Sequence, residues 1–190
     1  MGMIDKSKSR LAKLDWINAA TQILKTEGVE KVKVEPLARM LGVTRGSFYW
    51  HFDKRQDLLD SILANWHSST TLDIIEALEQ GQKSAKERLE QLINLAFSVH
   101  PESLAVEHAV RAWSLIDPKV KAAVVQVDSQ RIEYLKKLIL ALGWSDEEAQ
   151  QRACLVYYCR VGIYHQARIP ELSERLRTVH SLLTLCMPAS

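Results

Sequence analysis

The sequence predicts an all-α fold, and three observations carry that expectation. Apolar residues recur at helical spacing along nearly the whole chain. No stretch alternates apolar and polar residues with the β-branched enrichment of a strand. Glycine, proline, serine and threonine punctuate the apolar stripes where helices would start and stop.

The spacing predicts about nine helices. Leu11, Ile17, Ala20 and Leu24 form one face of the first, which Gly28 ends because glycine accepts the left-handed conformation after a helix. Leu37, Ala38 and Leu41 mark a short second helix that Gly42 stops, and Thr44 is placed to cap a short third one with its hydroxyl. A long fourth helix over 55–80 carries Leu58, Leu59, Ile62, Leu63, Trp66, Ile74, Ile75 and Leu78. A fifth follows Ser84, with Leu89, Leu92, Ile93, Ala96 and Phe97 on one face, and Pro101 terminates it. The rest are expected over 102–116, 118–142, 145–168 behind Ser145, and 171–187 behind Pro170.

With 190 residues and 47% hydrophobic content, the chain can bury a substantial core. No apolar run approaches the ~20 residues of a membrane span, and no apolar segment follows the basic start, so a cytoplasmic protein without membrane contact is expected. Cys154, Cys159 and Cys186 are odd in number and lie in apolar helical patterns, which reads as buried thiols rather than a disulfide framework. No ligand spacing suggests a metal, and no cofactor motif is present. An enzyme is not expected either, for want of a nucleophile with its base, a paired carboxylate signature or a phosphate loop.

Charge is distributed unevenly. Residues 1–60 hold 11 Lys and Arg against 8 Asp and Glu, whereas 61–190 hold 14 against 15. Lys6, Lys8, Arg10 and Lys13 make a basic arm suited to phosphates, because neutralising them releases counterions. A solvated tail would look the same.

In LARMLGVTRGSFYWHF, the positions of Leu37, Ala38, Leu41, Val43 and Phe48 let two short helices cross around Gly42, which is helix-turn-helix geometry. Ala38 is small where the helices approach. Arg45, Ser47, Tyr49, Trp50 and His51 point away, and a surface Tyr-Trp-His triplet has little reason to exist unless something covers it.

Gly28, Leu37-Ala38, Leu41-Gly42-Val43-Thr44, Gly46-Ser47-Phe48-Tyr49, His51-Phe52 and Leu58-Leu59 together resemble the amino-terminal signature of TetR-type regulators, over about residues 10–60. The resemblance implies a DNA-binding domain at 1–54 and an effector-binding and dimerisation domain at 55–190, with helix 55–80 linking them. It implies that Arg45 and Ser47 face base edges, arginine being able to donate twice to guanine. Gly46 then lets the backbone approach the duplex, while Thr44, Tyr49, His51 and Arg55 bond phosphates. Trp50 either meets DNA or wedges between helices. Lys33 stands where many members have Ser or Thr, which removes a hydroxyl cap but leaves an ammonium for phosphate, and Arg55 replaces the more frequent Lys.

By the same resemblance, the carboxyl-terminal helices hold a small-molecule effector and a homodimer interface. Trp66, Phe97, Trp113, Tyr134, Tyr157 and Tyr158 are candidates to line a pocket, though ordinary core packing explains each as well. His108 and Arg111 are placed to meet an anionic ligand, but Arg111 with Asp128 or Glu107 makes an equally good bridge between helices. Ala153, Val161, Gly162 and His165 suit a close helix crossing. Leu172, Leu176, Val179 and Leu183 repeat at spacings of 4, 3 and 4, a seam for another helix within the protomer or from a partner. The expected function is a repressor released from a double-stranded operator by a small molecule. An activator of the same fold, or an architectural DNA binder with no effector, shares the motif; a core without a cavity would favour the latter.

Overall fold

A computed structural model describes residues 11–98, 101–166 and 168–188. The basic-arm residues Lys6, Lys8 and Arg10 lie outside the described residues. Among those described, every regular element is helical. The chain divides into two compact units, one ending at Asn65 and the other starting at Trp66.

The first unit begins with α1 (Lys13–Glu27), whose buried stripe is Trp16, Ala20, Ile23 and Leu24. Asp15 accepts from the Ala12 backbone N–H at 2.7 Å, which satisfies one of the amides that a helix start leaves exposed. Gly28, at φ +84°, ends the helix and donates to Leu24 O. A 3₁₀ turn at Val29–Lys31 leads to α2 (Val34–Met40), α3 (Arg45–Phe48) and α4 (Arg55–His67). Their common core is Trp16, Leu24, Leu37, Phe48, Leu58 and Ile62, each no more than 2% exposed.

The unit boundary falls inside α4. The helix expected to run unbroken over 55–80 widens into a π turn at Ser68–Leu72 and resumes as α5 (Asp73–Glu79), so ten α-helical segments stand among the described residues where about nine were expected. In that turn Thr70 Oγ1 donates back to Trp66 O at 2.6 Å, the kind of hydroxyl intrusion that disturbs a helical ladder.

The second unit continues with α6 (Ala85–Phe97), α7 (Pro101–Ser114), α8 (Pro118–Leu140), α9 (Asp146–Tyr164) and α10 (Leu172–Cys186). Local chemistry sets these starts. Ser84 with Glu87, and Ser145 with Glu148, form reciprocal capping boxes, and Asp117 accepts from Lys119 N and Val120 N ahead of Pro118. Two boundaries move: α7 starts at Pro101 itself, and α9 stops at Tyr164 rather than 168. α8 packs along α9 and α7, and α6 packs on α10, around Leu89, Ile93, Leu138, Ile139, Ala153 and Tyr164. Of the three thiols, only Cys186 is fully buried; Cys154 and Cys159 are half-buried on α9. No helix among the described residues is long and apolar enough to cross a membrane.

Candidate functional site

Between α2 and α3 the chain reverses through a Schellman turn. Gly42 N–H donates to Arg39 O at 3.2 Å and Val43 N–H to Ala38 O at 2.9 Å, with Gly42 at φ +67°. Those bonds satisfy the last carbonyls of α2 and aim α3 outward. Phe48 anchors α3 from beneath, with its ring edge-on to Trp16 at 5.3 Å and stacked on Phe52 at 5.1 Å.

What remains outside is the surface the sequence singled out. Thr44, Arg45, Gly46, Tyr49 and Trp50 are exposed, Ser47 and His51 are half-buried, and Lys33 is exposed at the start of α2. Trp50 is 75% exposed, so it does not wedge between helices. Thr44 stands at the N-cap of α3, but its hydroxyl makes no capping bond. Arg45 rests on its neighbours, donating to Glu35 Oε1 at 3.3 Å and to Tyr49 Oη at 3.2 Å. An ion pair this exposed is weak. It therefore preorganises the guanidinium without holding it back from a stronger acceptor.

Arg55 has another role. Its guanidinium donates to Val32 O at 2.5 Å and Val29 O at 2.6 Å, tying the start of α4 to carbonyls of the 3₁₀ turn. These bonds give Arg55 a structural role in the amino-terminal unit beside the phosphate contact that the resemblance implies.

The second unit contains a cavity of about 280 Å³. Ile74, Ile75, Leu92, Ile93, Phe97 and Leu104 supply apolar wall, and the π turn brings Ser69, Thr70 and Thr71 to its edge. Glu107, Arg131, Tyr157 and Arg160 complete one side.

Glu107 is 3% exposed and fully engaged. Arg131 Nη1 reaches its Oε1 at 3.0 Å, Arg111 Nε reaches the same oxygen at 2.9 Å, and Trp66 Nε1 donates to Oε2 at 3.1 Å. Burial alone would raise this carboxyl, but Arg131 and Arg111 outweigh it and hold the group at about 2. Arg131 also donates to Thr70 Oγ1 and Thr71 Oγ1, at 2.9 and 3.0 Å. Arg111 forks onto both oxygens of Asp128, at 2.7 and 3.1 Å, and Tyr157 Oη donates to Asp128 Oδ1 at 2.5 Å.

The pattern described as "Bacterial regulatory proteins, tetR family" matches residues 17–62, a span that takes in the whole helix-turn-helix. Residues 17–62 thus match the amino-terminal, DNA-binding domain of TetR-family regulators. The chain is 37% identical over 57 residues to the HTH-type transcriptional regulator SrpR of Pseudomonas putida, covering 30% of this chain and 27% of SrpR. It is 22% identical over 157 residues to AcrR of Shigella flexneri, covering 82% of this chain and 63% of AcrR. The chain thus spans less than two thirds of these relatives' length. A regulator from Saccharomonospora viridis, solved with choline, superposes with a TM-score of 0.71 at 16% identity, over 90% of this chain and 95% of that one. The relatives are transcriptional regulators, not enzymes.

Within the second unit the pocket candidates separate. Phe97, Tyr134 and Tyr157 line the cavity. Trp66 and Trp113 are core side chains, 2% and 4% exposed, and neither reaches the wall. His108 bonds the Tyr164 carbonyl at 2.7 Å and packs on His165, and Arg111 makes the bridge to Glu107 and Asp128 that was its alternative. Tyr158 is 61% exposed on the outer face of α9.

The interface candidates separate too. Gly162, His165, Leu172 and Leu176 are exposed, but Ala153 and Val179 are buried in the protomer's own core, and Val161 and Leu183 pack against it. Leu155 is exposed beside Tyr158 and Gly162 on one stripe of α9. The sequence reading missed Arg131 and Arg160, although an arginine inside the apolar run LVYYCRVGIY was a signal.

Proposed function

We propose that the chain is a homodimeric, cytoplasmic transcriptional regulator, a repressor that leaves its double-stranded operator when a small molecule enters the cavity. The observation that carries this reading is the presence, in one chain, of an outward recognition surface on α3 and an apolar cavity with a few polar groups. An architectural DNA binder needs no such space. α4 crosses the boundary between the units, so it is the covalent route by which occupancy would reach DNA. The ligand must bind the DNA-incompetent state more tightly, since equal affinity for both shifts nothing.

Selection from a random duplex pool, followed by titration of single-base variants at fixed salt, tests the DNA half. Arg45→Ala is expected to lose roughly 10- to 100-fold in affinity at one base pair and relax preference there. Uniform weakening on every sequence would make Arg45 a phosphate contact instead.

The dimer is proposed through the outer faces of α9 and α10, where Leu155, Tyr158, Gly162, Leu172 and Leu176 are exposed, because apolar side chains clustered at a surface favour a covering partner. A Cβ at Gly162 would meet nothing within 4 Å in the protomer. Gly162→Leu should therefore stabilise the protomer slightly through helix propensity, by about 1 kcal/mol or less. It should also weaken self-association in sedimentation equilibrium. A wild type that sediments as a monomer at micromolar concentration removes the dimer.

A further inference from the structure

The charges around the cavity do not balance. Three guanidiniums, Arg111, Arg131 and Arg160, meet two carboxylates, Glu107 and Asp128. The carboxylates are committed: Glu107 accepts from Arg111, Arg131 and Trp66, and Asp128 from Arg111 and Tyr157. Arg160 has no hydrogen-bonded acceptor among the described residues; its guanidinium carbon lies 5.5 Å from the Tyr164 ring, and the charge of Glu107 reaches it without a bond. It nevertheless lies on the cavity wall, half-buried, in a lining that also holds apolar side chains of α5 and α6. Burial, and then the neighbouring Arg131, push its pKa down, as is usual for a cation short of counter-charge.

A cation held partly out of water on an apolar wall without an acceptor is costly, and an anion entering the cavity would offset that cost. We propose that the cavity takes a small carboxylate with a compact apolar body, the body against Ile74, Ile93, Phe97 and Leu104 and the carboxylate on Arg160. A guanidinium offers a carboxylate two parallel N–H donors, which fixes orientation as well as affinity. The volume, about 280 Å³, lies near the lower end of the ~300–1,000 Å³ usual for ligand pockets, so the body is one or two rings or a short branched chain. Thr70 and Thr71 are already used as acceptors by Arg131, which leaves Arg160 as the guanidinium to be satisfied. Ligand identity deepens the effector reading above and rests on it only for the consequence at DNA.

Isothermal titration of the full chain with naphthoate, its neutral isostere naphthamide, and benzyltrimethylammonium tests the site. Naphthoate is expected to bind at least about tenfold tighter than the amide, the worth of one charge-assisted contact, and the quaternary ammonium not at all. Arg160→Met should abolish the preference while leaving amide affinity within about threefold, and Arg160→Lys should retain most of it. Without ligand, Arg160→Met should melt higher than wild type, because it removes a charge held partly out of water beside Arg131. Equal affinity for acid and amide, preference for the ammonium, no saturable binding of naphthoate, or a lower melting point of a folded Arg160→Met overturns the proposal. Operator titration separates the two readings. A carboxylate that binds through Arg160 but leaves DNA affinity unchanged overturns induction and keeps the anion site; an amide that binds equally and releases DNA overturns the anion site and keeps induction.

Discussion

Glu107→Ala is expected to destabilise the carboxyl-terminal unit by about 3–5 kcal/mol, the cost of breaking a buried ion pair and stranding its partner. The mutation leaves Arg111 with Asp128 alone and Arg131 without its carboxylate, and it orphans the Trp66 indole N–H. Urea unfolding followed by helix signal measures it. Glu107→Leu combined with Arg131→Met should cost less than the sum of the two single changes, since removing both charges together leaves neither unpaired. The pH dependence has a defined sign. The folded-state carboxyl is held at about 2 against an ordinary 4.5, so its stabilising contribution is complete above pH 4.5 and fades as pH falls toward 2. The gap between wild type and Glu107→Gln should close over that window. A gap unchanged at pH 2.5 would mean that packing, not charge, is what Glu107 supplies.

Phe48→Ala is expected to cost about 3–5 kcal/mol in the amino-terminal unit, through lost transfer energy and the cavity left behind. Phe48 is fully buried, and α3 is a single turn with few bonds of its own, so its orientation depends on this ring against Trp16 and Phe52. Hydrogen exchange should show faster exchange through residues 13–62 with protection kept in α8 and α9, alongside loss of duplex binding. Loss of protection spread evenly over both units would mean that they unfold together.

The helix-turn-helix was legible in the sequence because its determinants are local. Gly42 reverses the chain within a few residues of Ala38, and the spacing places Leu37 and Phe48 inward, with Leu41 half-buried, without help from distant segments. The helix starts behind Ser84 and Ser145 were legible for the same reason, since a capping box closes over three residues. Arg55 was not. In sequence it is a cation beside a DNA-binding motif, and only the fold brings it to the carbonyls of Val29 and Val32.

The carboxyl-terminal unit shows where sequence stops determining. Spacings of 4, 3 and 4 in Leu172, Leu176, Val179 and Leu183 establish an apolar stripe on α10 but not which edge of it faces inward. The packing of α6 and α9 buries Val179 and leaves Leu172 and Leu176 outside. On α9 the same rotation buries Ala153 and exposes Leu155 and Tyr158. The cavity and its charges were settled at longer range still. Arg131 meets Glu107 across 24 residues and Thr70 across 61, through a π turn with no sequence signature, and Arg160 is left over once those pairs have formed. The sequence by itself determined the helices, their caps and the recognition surface, because those depend on neighbours along the chain. The tertiary structure decided which charges are paired, which apolar edges stay exposed and where a ligand-sized space remains, because those depend on how separate helices rotate against one another to fill a shared core.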